Sequence, residues 1–127
     1  MPIKFSYVFG DVELFDHYMV VVMRANVHIT PDYNNILLEL VDKYYSDKPF
    51  VYLTHRLNSY SVDPAIYYET SKIKNLAGFA VIAEAPLAAG NASVEKLFLS
   101  KPFEIFRELE EAIKWAKTII SNERKQS

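Results

Sequence analysis

Hydrophobic positions along the chain change period several times, and each change marks a structural element. Ile3, Phe5, Tyr7 and Phe9 alternate with Lys4 and Ser6, which predicts a strand with one buried face near a sheet edge. Met19-Val20-Val21-Val22-Met23 is apolar at every position, as in an interior strand covered on both faces. The period then lengthens. Tyr33, Leu37, Leu40, Val41 and Tyr44 fall on one helical stripe, with Thr30 as N-cap and Pro31 at the first helical position. Phe50, Val51, Tyr52 and Leu53 predict a second fully buried strand, and Phe79 to Ala83 a third. Between them, Asp63 and Pro64 read as the cap and first turn of a helix running to about Lys74. "NASVEKLFLSKP" predicts a short helix on Val94, Leu97 and Phe98, and "FEIF" a short strand. Leu109, Ala112, Ile113, Ala116 and Ile120 form the apolar stripe of a last helix. Glu108, Glu110 and Glu111 lie at its positive end and Lys114 and Lys117 further along, as the helix dipole favours. Residues from about 122 to 127 read as a solvated tail.

Two strands followed by helix–strand alternation, with no hairpin signal, imply parallel crossovers. The expected class is α/β. It comprises a mixed, mostly parallel five-stranded sheet, the first strand antiparallel to the rest, with about four helices in one domain over residues 1–127. Composition narrows the function. Half of the 127 residues are apolar and only 3 are glycine, which fits a packed domain rather than a disordered chain. A formal net charge of -2 and the lack of a basic run argue against nucleic acid as a partner. With no cysteine there is no disulfide, no thiolate nucleophile and no cysteine-ligated zinc. The N-terminus shows no basic segment followed by an apolar one, and no apolar run approaches the roughly 20 residues that span a bilayer. The expectation is a cytoplasmic protein without a membrane span.

The element order resembles the STAS domain of anti-sigma-factor antagonists, the SpoIIAA-like fold shared distantly with Sec14 (CRAL-TRIO) lipid-binding domains. The stretch "GFAVIAEAPLAAGNASVEKLFLSKPFEIFRELEEAIKWAKT" carries the closer likeness, with Phe106 followed by Leu109-Glu110-Glu111-Ala112 and Trp115. Glu108 stands where such proteins often have a serine or aspartate cap. The resemblance implies a sheet wound by helices, with a regulatory loop after the third strand. In the antagonists that loop carries Asp-Ser-Ser-Gly-Leu, with one serine phosphorylated. The segment here is Asn58-Ser59-Tyr60-Ser61-Val62, with no Ser-Gly pair, so the phosphorelay role does not carry over.

The residues themselves concentrate chemistry in "THRLNSYSVDP", residues 54–64. His55, Ser59, Ser61 and Asp63 hold the group types of a Ser–His–Asp triad, but adjacency in sequence does not supply its geometry, and no Gly-x-Ser-x-Gly elbow accompanies them. The simpler assignment is a strand end at His55, a turn over 58–61 and a cap at Asp63. A binding loop fits better, because ligands of open parallel sheets bind at the carboxyl ends of the strands. Arg24, His28, His55, Arg56, Ser59, Ser61 and Glu84 should gather there as a ligand or partner loop, with Ser59 the first choice for modification or contact. No phosphate-binding glycine motif is present, and His17, His28 and His55 lack metal-ligand spacing, so no cofactor and no metal site is expected. The leading reading is a non-enzymatic binding or regulatory module with a protein partner or an apolar small ligand. The alternative is a carrier of a hydrophobic small molecule or lipid. Strands apolar on both faces need cover on both, which predicts a homodimer burying apolar and tyrosine side chains.

Overall fold

The structure, a computed structural model, describes residues 3–58, 60–83 and 99–126. Eight strands and three helices appear among them. In chain order these are β1 (Ile3–Ser6), β2 (Gly10–Leu14), β3 (Tyr18–Met23), β4 (His28–Ile29), α1 (Tyr33–Tyr44), β5 (Phe50–His55), β6 (Ser61–Val62), α2 (Ile66–Ser71), β7 (Leu76–Ile82), β8 (Phe103–Phe106) and α3 (Leu109–Gln126). The main sheet is six-stranded in the order β1-β2-β3-β5-β7-β8, and β4 with β6 forms a separate two-stranded ladder. β3, β5, β7 and β8 are mutually parallel. The α/β class and the parallel relation of the three apolar strands hold as expected.

The strand count does not. "GDVEL" forms β2, antiparallel to both β1 and β3, so β1 itself runs in the direction of the parallel strands. Two hairpins therefore exist. Tyr7 and Gly10 exchange backbone hydrogen bonds of 2.8 and 3.2 Å around Val8-Phe9, and the Phe15 amide donates to the Tyr18 carbonyl at 2.9 Å. Neither turn carries the Asn-Gly or Asp-Gly pair that announces a hairpin in sequence. The expected short helix over 91–102 falls mostly outside the described residues. The last helix continues through Gln126 rather than ending in a tail near 122. Glu, Arg, Lys and Gln are all good helix formers, and 121–123 stay exposed on it.

Both faces of the parallel strands are covered by the chain itself. On one face Met19, Val21, Phe50, Tyr52, Phe79 and Val81 pack with Leu37, Leu40 and Val41 of α1 and Ile66 and Tyr67 of α2. On the other, Val20, Val51, Leu53, Ala80 and Ile82 pack with Ala112, Ala116 and Ile120 of α3. Helices of the chain itself thus cover the parallel strands on both sides. Trp115 is half-buried, lies over Gly78 and sits 5.8 Å from the Phe106 ring. A third anchor is Tyr45. Its hydroxyl lies 2.6 and 2.7 Å from the Phe15 and Tyr18 carbonyl oxygens, tying the end of α1 to the second hairpin.

Candidate functional site

The carboxyl ends of β3 and β5 lie side by side, and the loops leaving them are joined. β4 from the first loop pairs in parallel with β6 from the second, His28 opposite Ser61 and Ile29 opposite Val62. The Ser61 amide donates to Val27 O at 3.0 Å and the Asp63 amide to Ile29 O at 2.8 Å, so the ladder continues past both ends. Asn58 adds a side-chain bond from Nδ2 to Met23 O at 2.9 Å. Two crossover loops that would move independently are thereby held as one unit above the sheet.

Beneath this ladder lies a cavity of about 30 Å³, lined by Met23, Ile29, Tyr33, Tyr52, Thr54 and Tyr67 among others. The Tyr33 and Tyr52 hydroxyls meet there at 2.8 Å. Burial pushes both phenols well above their ordinary range, so both remain neutral hydrogen-bonding groups at physiological pH. Thr54 Oγ1 lies 3.2 Å from the Tyr60 hydroxyl, to which Arg56 Nε donates at 3.2 Å. The Arg56 guanidinium also stands 5.5 Å from the centre of the Tyr60 ring. The result is a polar seam from cavity to surface.

The structure separates the sequence-derived residues into groups. His28 and Ser61 are both exposed and meet at 2.7 Å between Nδ1 and Oγ. Arg56 joins Tyr60, and His55 ends β5, half-buried. Arg24 belongs elsewhere. It donates to Tyr7 O at 3.2 Å and Ser6 Oγ at 3.0 Å and approaches Asp11 at 3.5 Å, which makes it a clasp on the first hairpin. Ser59 and Glu84 lie outside the described residues. In sequence Tyr33 and Tyr52 read as core and Tyr60 as part of a turn, because a tyrosine in an apolar stripe gives no sign that its hydroxyl finds a partner.

Asp63 lies two residues before the N-cap position of α2, Ala65. Its Oδ1 accepts the Ala65 amide at 3.0 Å, and the amides of Ile66, Tyr67 and Tyr68, the first three residues of α2, donate three residues back to Asp63, Pro64 and Ala65. The same lead-in replaces Thr30 and Pro31 at α1, where Tyr33 donates to Thr30 O at 3.0 Å and the cap position is Asp32, with no side-chain bond. Asp63→Ala should still destabilise by roughly 0.5–2 kcal/mol, read as a lower urea midpoint. An unchanged midpoint would remove any role for the carboxylate in starting α2.

The contact of Ser61 with His28 lacks the rest of a triad. A serine nucleophile needs its base oriented by an acid and an oxyanion hole nearby, whereas Asp63 directs its oxygen to Ala65 N–H. Among the described residues no group of three His, Asp or Glu side chains could hold a metal ion. No helix of the described residues is long and apolar enough to cross a membrane.

No protein-family model matches the sequence, and no curated protein matches it. The fold has a solved counterpart. The chain is similar to the crystal structure of an uncharacterized protein of the DUF3478 family, with a SpoIIAA-like fold, from Shewanella loihica PV-4. The TM-score is 0.52 at 13% sequence identity, over 91% of this chain and 92% of that one. At such an identity the likeness is one of fold, and the chain has a SpoIIAA-like fold.

Proposed function

We propose that this SpoIIAA-like domain is a non-enzymatic binding or regulatory module that engages a protein partner through the joined loops at the carboxyl ends of β3 and β5. The β4–β6 ladder carries this reading. It fixes the relative position of two loops at the edge where open parallel sheets place their ligands, and a rigid scaffold under exposed loops is the usual arrangement of a recognition surface. Leu57 projects from this edge with 63% of its surface exposed, beside Arg56 and Asn58. His28 and Ser61 add exposed polar groups on the ladder itself. An apolar anchor within a polar rim is the composition of a protein contact.

A hollow of about 360 Å³ beside α3 is lined in part by Asp16, His17, Lys117 and Ser121, polar groups that do not suit an acyl chain, and the carrier alternative also draws no support from the cavity beneath the ladder. Its ≈30 Å³ is an order of magnitude below the roughly 300–1,000 Å³ of ordinary small-molecule pockets. It has room for about one water molecule rather than an acyl chain.

A photoreactive amino acid at Leu57 tests the reading in the native cell, with the same group at the exposed Lys114 of α3 as comparison. A discrete protein adduct from position 57 and none from 114 is the expected result. Equal labelling from both positions, or none from 57, would count against the loop edge. A lipid retained on the purified protein in native mass spectrometry would restore the carrier.

A further inference from the structure

Among the described residues β1 is one of the two edge strands of the sheet, with β8 at the other end. Tyr7 and Gly10 form a hydrogen-bonded pair, exchanging both amide bonds. Such pairs alternate along an antiparallel ladder, so Phe5 with Val12 and Ile3 with Leu14 are also bonded pairs. Lys4 and Ser6 therefore direct their N–H and C=O groups away from β2, toward the open edge. Their side chains lie on the α3 side of the sheet, with Asp11 and Glu13 as register partners. Ile3, Phe5 and Tyr7 lie on the opposite side in a half-exposed aromatic row, Phe5 and Tyr7 stacked with centroids 6.1 Å apart. Ile3 is 42% exposed.

We propose that this edge is a self-association site, at which β1 pairs antiparallel with β1 of a second copy about a two-fold axis at Phe5. The outward groups permit few registers. Lys4 opposite Lys4 of the other copy would set like charges face to face, which antiparallel pairs disfavour. Shifting by one residue at each strand instead pairs Lys4 with Ser6 of the other copy, and Ser6 with its Lys4. All four outward N–H and C=O sets are then satisfied. The two Phe5 rings meet at the axis, and each Ile3 faces a Tyr7, so the half-exposed aromatic row becomes continuous across the boundary. On the other side each Lys4 comes between its own Glu13 and the Ser6–Asp11 pair of the second copy. Only this register pairs both outward residues of each strand without facing like charges, because Ser6 opposite Ser6 would set Lys4 against Val8 in the turn. Lys4 acts as the residue that selects it, although an edge lysine is elsewhere a device against association. This site is independent of the loop edge proposed above and of the sheet face that α3 covers.

The chain has no cysteine, which gives a clean test. A Phe5→Cys pair at the axis would be a non-bonded pair with Cα atoms about 4.5 Å apart, inside the about 4.4–6.8 Å window of a disulfide. Mild oxidation should crosslink Phe5→Cys efficiently and leave Lys4→Cys and the distant control Lys72→Cys largely uncrosslinked. Sedimentation equilibrium across the micromolar range should show a dimer for the parent chain, and a monomer with unchanged circular dichroism for Lys4→Pro, which removes an outward amide. A parent chain that stays monomeric throughout, or a dimer in which Phe5→Cys crosslinks no better than Lys72→Cys, would overturn the proposal. If Lys4→Pro fails to fold, the comparison of the three cysteine variants still decides.

Discussion

Gly10→Ala should unfold the protein well below its normal melting temperature. A Cβ at Gly10 would stand 2.3 Å from the Val22 carbonyl oxygen and 2.8 Å from the Met23 Cα. Both are backbone atoms of β3, which β2 holds in register through Met23 and β5 through Val21, so neither can turn away as a side chain would. Neither glycine among the described residues has a positive φ, so the demand is for space and not for an unusual backbone angle. Overpacking a core typically costs about 1–3 kcal/mol, and a clash with fixed backbone belongs at or above the top of that range. For a domain of this size the melting temperature should fall by roughly 10 °C or more. Gly78→Ala is the natural comparison. There the new methyl would meet Trp115 Cη2 at 2.9 Å, an indole edge on a half-buried side chain that can tilt, and the loss should be clearly smaller. Thermal melts followed by circular dichroism would rank the two. A Gly10→Ala melt within a degree or two of the parent, or above that of Gly78→Ala, would mean that β2 and β3 are not packed as described.

Stability should also collapse steeply in alkali. Tyr33, Tyr45 and Tyr52 all have phenols raised above the ordinary value of 10.0, in each case chiefly because burial disfavours the phenolate. Tyr45 and Tyr52 are only 1% and 3% exposed. The sign follows from proton binding. Below pH 10 both folded and unfolded chains keep these protons, and the stabilisation is fully present. Above it the unfolded chain releases them while the folded chain does not, so stability falls until the folded-state values are reached. Each retained proton lowers stability by about 1.4 kcal/mol per pH unit, and three together by about 4 kcal/mol per unit. A domain with an ordinary margin of about 5–15 kcal/mol would lose much of it within two pH units. Urea midpoints measured from pH 9 upward should fall steeply past pH 10. Tyr52→Phe should flatten the decline by about a third. Midpoints level through that window would contradict the burial of these hydroxyls.

Much of the architecture is visible in the residues. A strand buried on both faces cannot alternate, so Met19–Met23, Phe50–Leu53 and Phe79–Ala83 show β3, β5 and β7 directly, and the 3.6-residue stripes of Tyr33–Tyr44 and Leu109–Ile120 show α1 and α3. Their order yields the parallel core and the SpoIIAA-like fold. β2 escaped because "GDVEL" alternates over only five residues and its hairpins use turns without glycine-led pairs at their centres. β4 and β6 escaped for a deeper reason. Two residues each are too few for any period, and they exist only because the ends of β3 and β5 bring their loops together.

The candidate site divides in the same way. His28, His55, Arg56 and Ser61 could be placed at the carboxyl edge from sequence alone, since strand direction and the position after each strand settle which end a loop occupies. Arg24 follows β3 just as directly, yet its side chain turns to Ser6, Tyr7 and Asp11, because an unseen hairpin lies within reach. The pairing of Tyr33 with Tyr52, and of Tyr60 with Thr54 and Arg56, joins α1, β5 and the loop that follows it. Hydrophobic period is a property of neighbours along one element and is written in the chain itself. Which hydroxyl meets which, how far a cavity closes and which edge remains open depend on contacts between elements distant in sequence, and only the packed tertiary structure decides them.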